Sequence, residues 1–394
     1  MTHVLIIEPD ATGHRMHYVR HLLAGAKDAG VKVTLGTTEK ARGSDSFALA
    51  LKEQLEGLDI QILPVKPKVR ALGQLGSQLN LASSFKALVE RIQPDVTFIP
   101  YGNYIDRVSA VYRNPIGKRP WALLTMRERF HHAAAGVSPA SKSDPIKERM
   151  FMRQLASPFL VKSFTIDELL KPYVAKKSPK LAAKLVFCDE PIEMDKEVPK
   201  VQARASLGIS PEQRVLLIYG NMDERKGLDS ALNSVASLPA DCALLVAGRQ
   251  DEWARKLLST NEASALKATK RLYSMDSYLD HQAEQACFAA ADAVWLGYRG
   301  HYGSSGVLTQ AAVCGLPIIS CNEGLLGYRT REGKLGETVN VDDAAAVSTA
   351  VQACLSLEPS ERELLKKQAA ERRALHSPAA FAKLIYGELL GVTR

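Results

Sequence analysis

The 394-residue chain has no run of about 18 apolar residues, which excludes a conventional membrane-spanning helix. Its first residues lead straight into a strand pattern without the features of a secretory leader, so a cytoplasmic protein is expected. No G-x-G-x-x-G spacing follows the first strand, which leaves a dinucleotide site without support. No Asp-x-Asp pair stands at a strand end to hold a divalent cation, and no basic repeat with interleaved aromatics points to nucleic acid. Low-complexity tracts and sequence repeats are also missing. The six cysteines have no paired close spacing, and several fall inside apolar segments. They read as buried thiols of a reducing compartment.

What is present is a globular composition, 46% apolar and 24% charged, on a chain long enough for two domains of roughly 180 residues each. A net charge of +8 favours anionic partners such as nucleotide phosphates or the acidic face of a membrane.

Strand and helix patterns alternate along the whole chain. His3 to Ile7 is a strand, Val19, Leu22, Leu23 and Ala26 recur at helical spacing, and Val31 to Leu35 is the next strand. Further strands are expected at Ile60 to Pro64, Val96 to Ile99, Trp121 to Met126, Phe159 to Phe164 and Leu185 to Cys188. Charged, proline-containing chain from about Met194 to Arg214 reads as a linker. A second series then opens with strands at Val215 to Tyr219 and Ala243 to Ala247, a helix over Trp253 to Lys270 and a strand-like Arg271 to Met275. Glu323 to Gly327 reads as loop, and Ser377-Pro378 caps a final helix.

The stretch Ala291 to Asn322, ADAVWLGYRGHYGSSGVLTQAAVCGLPIISCN, combines a strand, a turn of small residues at Gly303-Ser304-Ser305-Gly306, a helix over Val307 to Cys314 and another strand. Free N–H groups and the positive dipole end at such a helix start make a seat for an anion. An ordinary strand-to-helix turn accounts for the same residues equally well. His14, His17 and His21 share a helical face, but no carboxylate or cysteine completes a metal set. The cluster Arg127 to His132 lies past a strand's carboxyl end and reads as a solvated loop or as part of an active-site wall.

The segments YGNMDERKG, AADAVWLGY and YGSSGVLTQAAVCGLPII resemble motifs of the family 4 GT-B glycosyltransferases, and the resemblance covers most of the chain. It implies an α/β GT-B fold: two Rossmann-like domains facing a cleft, with a C-terminal helix returning to the first. The expected division is 1–195 as acceptor domain, 196–213 as linker, 214–376 as nucleotide-sugar domain and 377–394 as the returning helix.

By the same resemblance Lys226, with Arg225, would neutralise the departing diphosphate, and Gly220, Asn221, Tyr302, Gly303, Ser304, Ser305, Gly306, Val307, Gln310, Gly248 and Arg249 would hold the donor. The nucleotide base is expected between Gly248-Arg249 and the Arg271 to Met275 segment. Gly13, His14, Tyr101, Asn103, Arg127 and His131 are expected on the acceptor side. No metal or cofactor is called for, since lysine and backbone amides can do the work of a cation.

Two departures stand out: Tyr302 and Gln310 occupy the positions of the family's paired glutamates, and Asn221 that of an arginine. The implied activity is transfer of a sugar from a nucleoside diphosphate sugar to a glycan, lipid-linked or small-molecule hydroxyl, with retention, as in polysaccharide biosynthesis. Peripheral membrane association stays open. A catalytically silent nucleotide-sugar binder and a sugar-nucleotide epimerase are the alternatives.

Overall fold

The computed structural model describes residues 1–12, 15–64, 73–193 and 198–393. Thirteen strands among them fall into two separate sheets in which every paired strand is parallel. The first sheet comprises β1 (His3–Ile7), β2 (Lys32–Thr37), β3 (Asp59–Ile62), β4 (Val96–Ile99), β5 (Trp121–Thr125), β6 (Leu160–Thr165) and β7 (Leu185–Phe187), in the order β3-β2-β1-β4-β5-β6-β7. The second comprises β8 (Arg214–Tyr219), β9 (Cys242–Ala247), β10 (Leu272–Met275), β11 (Ala293–Leu296), β12 (Ile318–Cys321) and β13 (Gly336–Val339), in the order β10-β9-β8-β11-β12-β13.

Crossover helices cover both faces of such sheets, so central strands are apolar in every residue and not in alternate ones. Val4, Leu5, Ile6 and Ile7 are all buried. Val4 and Ile6 feed one core with Leu35 and Phe98, while Leu5 and Ile7 feed another with Ile99, Trp121 and Leu123. Val215 to Ile218 repeat the pattern in the second sheet.

One unit contains Met1–Ala135, Pro139–Pro191 and His376–Arg394; the other contains Gly136–Ser138 and Ile192–Leu375. The terminal helix Pro378–Thr393 lies in the first unit, where Tyr386 Oη donates to Leu22 O at 2.8 Å and Phe381 meets Tyr18 edge-on. No helix among the described residues is long and apolar enough to cross a membrane. All six cysteines are free.

Three sequence expectations are corrected. The expected linker 196–213 contains a helix, Lys200–Ser206, that belongs to the second unit. Its Arg204 is buried and donates to Asp292 Oδ2 at 2.6 Å and Ala290 O at 3.1 Å, which pins the segment to the start of β11. The helix expected over 253–270 is two helices, Glu252–Leu257 and Asn261–Ala268. Thr260 accepts a hydrogen bond from Ala263 N and so caps a new start. Glu323 to Gly327 is not loop, because Gly324–Glu332 is helical.

In each sheet the direction of strand addition reverses once, at β1 beside β4 and at β8 beside β11. At such a switch point the loops leaving the two strands diverge to opposite faces and open a crevice at the carboxyl ends.

Candidate functional site

The second unit's switch point, between β8 and β11, brings several polar side chains together. After β8 the chain passes Gly220 and makes a short 3-10 turn, Glu224–Lys226, before the helix Leu228–Ser237. Gly227 joins turn to helix at φ +66, and a Cβ there would lie 2.4 Å from Gly297 O. Only glycine lets the β8 and β11 loops touch this closely. Gly248, after β9, has φ +130, and its Cβ would lie 2.2 Å from Gly220 O.

This packing drives Lys226 inward. Its side chain is buried, and Nζ donates to Tyr219 O at 2.5 Å and to Tyr298 Oη at 2.9 Å. The ammonium lies 4.6 Å from the Tyr298 ring centroid, and the Arg225 guanidinium is 5.3 Å from the same ring. Trp295 Nε1 donates to Lys226 O at 3.0 Å and fixes the backbone beneath. An ammonium has three N–H donors, and Lys226 faces no carboxylate among the described residues. Among the described residues, Arg225 is compensated only by Asp223, at 3.5 Å.

Beyond Tyr298 the loop 299–305 leads to the helix Gly306–Val313. Ser305 is its N-cap by backbone position, yet its side chain makes no cap hydrogen bond. The first turn is therefore open for another acceptor. His301 bonds Ser304 O at 3.0 Å and lies edge-on to Tyr298, and Tyr302 O accepts from Leu325 N at 3.1 Å. Gly303, Ser304, Gly306 and Val307 are half-buried around this start. Gln310 is buried one turn in, with its amide on Cys314 Sγ at 3.8 Å. Asn221 and Arg249 are exposed at the ends of β8 and β9.

Of the Arg271 to Met275 segment expected beside the base, the Arg271 end lies away from the crevice. The Arg271 guanidinium donates to Cys242 O, Leu238 O and Val235 O, at the amino edge of the sheet, opposite Gly248. Only the Met275 end of that strand reaches the crevice, where Gly248 N donates to Met275 O at 3.0 Å.

In the first unit, β1 is followed by Glu8, which is wholly buried. Tyr104 Oη and Asp10 N donate to its Oε1, and Oε2 has no partner among the described residues. Burial pushes this carboxyl up to about 8 against those hydrogen bonds, so it is mostly the neutral acid at pH 7. Arg15 pairs with Asp10 and stacks over Tyr101 at 4.7 Å, and the exposed Arg127 stacks on Tyr101 at 5.3 Å. Asn103 donates to Asp106 at 3.4 Å. Burial and the nearby Asp106 also push Glu128 up, to about 7. Gly13 and His14 lie outside the described residues.

His131, expected to face an acceptor, is buried instead. It and His132 place Nε2 at 2.8 and 2.7 Å from one oxygen of the buried Asp167. Burial alone would raise Asp167, but the two histidine hydrogen bonds outweigh it and hold the carboxyl well below its usual range. The three ligand atoms are close enough to share a metal ion. Both Nδ1 atoms, however, are buried without a partner among the described residues. Coordination through Nε2 would make each Nδ1 a stranded donor, whereas protonated Nε2 atoms satisfy the carboxylate. The trio fits a hydrogen-bonded clamp better than a metal centre. His21 is buried as well, and burial, with Arg20 and His17 nearby, lowers it to about 3. It is a neutral core histidine.

Tyr298, Glu8 and Arg15 carry these two clusters and were not singled out from the sequence. For Glu8 the available signal was a polar residue directly after an apolar strand at a switch point.

Comparison with known proteins bears on both units. Residues 213–356 match the family described as Glycosyl transferases group 1. The chain is 28% identical over 191 residues to the D-inositol 3-phosphate glycosyltransferase of Mycobacterium marinum, covering 47% of this chain and 40% of that protein. It is 30% identical over 178 residues to the enzyme of that name from Rhodococcus opacus, covering 42% and 38%. The chain thus spans about two fifths of the length of these curated relatives. Sucrose-phosphate synthase from Thermosynechococcus elongatus superposes over 100% of both chains, with TM-score 0.70 and 19% identity. Anabaena HepE in complex with UDP-glucose does so over 100% of both chains, with TM-score 0.70 and 13% identity.

Proposed function

We propose that this chain, whose two Rossmann-like units give it the GT-B fold, moves a sugar from a nucleoside diphosphate sugar to an acceptor hydroxyl. The observation that carries this reading is Lys226, a buried ammonium at a switch point with no carboxylate beside it among the described residues. A buried cation whose hydrogen-bond partners carry no negative charge is costly, and a diphosphate seated there supplies the countercharge.

As the bond from the anomeric carbon to the diphosphate oxygen breaks, negative charge grows on the leaving group. Lys226 stabilises it from one side, supported by Arg225, and the open first turn of Gly306–Val313 stabilises it from the other. Such a site needs no metal. Retention of configuration is part of the proposal by resemblance. Arg15, Tyr101, Asn103 and Arg127 form the acceptor-side surface of the first unit, for a glycan or lipid-linked acceptor. A cytoplasmic setting is part of the proposal, supported by cysteines that are all free.

The test is a panel of UDP-, GDP-, ADP- and dTDP-sugars scored for thermal shift and for release of the nucleoside diphosphate. One nucleotide should raise the melting temperature, and its sugar should be turned over when an acceptor is added. No shift with any member would sink the donor site. A shift without turnover across an acceptor series would favour the silent binder, and turnover without acceptor the epimerase.

A further inference from the structure

Lys226 Nζ and Tyr298 Oη lie 2.9 Å apart, and chemistry fixes the direction of the hydrogen bond between them. An ammonium has three N–H donors and no lone pair, so Lys226 donates and the tyrosine oxygen accepts. The tyrosine keeps its own O–H, and no group among the described residues accepts it. On Lys226 one N–H goes to Tyr298 and one to Tyr219 O at 2.5 Å, which leaves a third without an acceptor among those residues. Two unspent donors therefore stand side by side, on residues that are 5% and 3% exposed. Buried donors without acceptors are costly and uncommon.

The surrounding chain anchors this pair and keeps space beside it. Tyr298 N donates to Leu296 O at 2.8 Å, Arg299 N donates to Arg225 O at 2.8 Å, and His301 meets the Tyr298 ring edge-on. At Gly220, a Cβ would lie 2.9 Å from Nζ. Glycine at that position leaves the room that a ligand atom needs to reach the ammonium.

We propose that Tyr298 is a second donor to the diphosphate: its Oη accepts from Lys226 and directs its own O–H at a phosphate oxygen, beside the third N–H of the lysine. A hydroxyl polarised by an ammonium is a stronger donor than an isolated one. As charge grows on the departing diphosphate both bonds tighten, and neither residue gives up a proton. A water molecule could take the same two donors, but it would bring no charge to the buried ammonium. The inference rests on the diphosphate reading of Lys226 and not on transfer to an acceptor, so it holds equally for a chain that only binds the nucleotide.

The test is calorimetric titration of the full chain with whichever of UDP, GDP, ADP and dTDP binds the parent, and with the matching nucleoside. Tyr298→Phe should weaken the diphosphate by roughly 10–150-fold and leave the nucleoside within about twofold, because the lost bond goes to a charged group that the nucleoside lacks. A second comparison sets Lys226→Met against Lys226→Met with Tyr298→Phe, where no ammonium needs the hydroxyl. A tyrosine that reaches the phosphate itself still costs at least about threefold there, and one that merely holds Lys226 costs nothing. Tyr386→Phe, which removes the hydroxyl bonded to Leu22 O in the first unit, should leave the affinity unchanged. Melting without ligand should show that each variant folds. Three results would overturn the proposal: an unchanged diphosphate affinity in Tyr298→Phe, an equal loss for the nucleoside, or no loss in the Lys226→Met background. A parent chain that binds none of these diphosphates would instead sink the diphosphate reading itself, and this inference with it.

Discussion

Replacing Lys226 by methionine keeps most of the side-chain volume and removes only the charge and its donors. An ammonium about 4 Å from a phosphate charge interacts by about 4 kcal/mol at an effective dielectric constant of about 20. Net hydrogen bonds to charged groups are worth about 1.5–3 kcal/mol. A loss of about 2–3 kcal/mol, or roughly 30–150-fold in affinity for the nucleoside diphosphate, is therefore expected. Ligand at about a hundredfold its Kd stabilises the parent by about 2.7 kcal/mol; at the same concentration the variant would gain only about 0.4 kcal/mol. At about 2–4 °C per kcal/mol for a unit of this size, the parent should shift by about 5–10 °C and the variant by about 1–2 °C. Without ligand the two should melt close together. The variant sheds a buried, uncompensated cation, but it leaves Tyr219 O and Tyr298 Oη without their donor. Turnover should fall about 100-fold or more. Scanning calorimetry with and without the nucleotide reads all of this except turnover, and a full ligand-induced shift in Lys226→Met would refute the assignment.

The Glu8 carboxyl rises from an ordinary 4.5 to about 8 in the folded chain, so between those values the folded state holds the extra proton. Stability should therefore fall as pH climbs through that window, by up to about 1.4 kcal/mol per unit, and Glu8→Gln should flatten the decline; an unchanged slope in pH-dependent urea titrations would remove Glu8 as its source. Asp292→Ala strands the buried Arg204 and takes from Val215 N its acceptor, 2.7 Å away, at an expected cost of about 3–5 kcal/mol. An urea midpoint corresponding to a loss under about 1 kcal/mol would mean that the 200–206 helix is held by something else. Gly248→Ala must push the β9 and β8 loops apart, and strain of about 1–3 kcal/mol with weaker nucleotide binding should show in the same melting assay; melting and binding like the parent's would show that the loops tolerate the separation.

The alternation of β and α patterns made both parallel sheets legible, because strands buried on two faces must be apolar throughout. The turn ahead of Gly306 and the lysine before Gly227 were legible for a similar reason, since glycines mark places where loops come close. Other features depended on partners far away in sequence. Arg204 sits in charged, proline-containing chain that reads as linker, and only Asp292, 88 residues on, makes it a core residue. His131 looked exposed among arginines until Asp167, 36 residues later, took its ring nitrogen. Arg271 was placed near the base by proximity to a strand, but the two ends of a strand face opposite edges of the sheet. Tyr298 has no signal of its own in the sequence, and its part as the surface beneath two cations depends on the β8 loop folding over it.

The free thiols give the two units separate chemical clocks. Cys188 is the first unit's only cysteine, and burial raises its thiol well above the ordinary value. Cys242, Cys287, Cys314, Cys321 and Cys354 all belong to the second unit, and all but Cys314 are buried. An alkylating reagent can reach a buried sulfur only when its surroundings open. Pulse labelling read by peptide mass would therefore time the opening of each half of one unmodified chain separately, and would show which half a bound nucleotide slows.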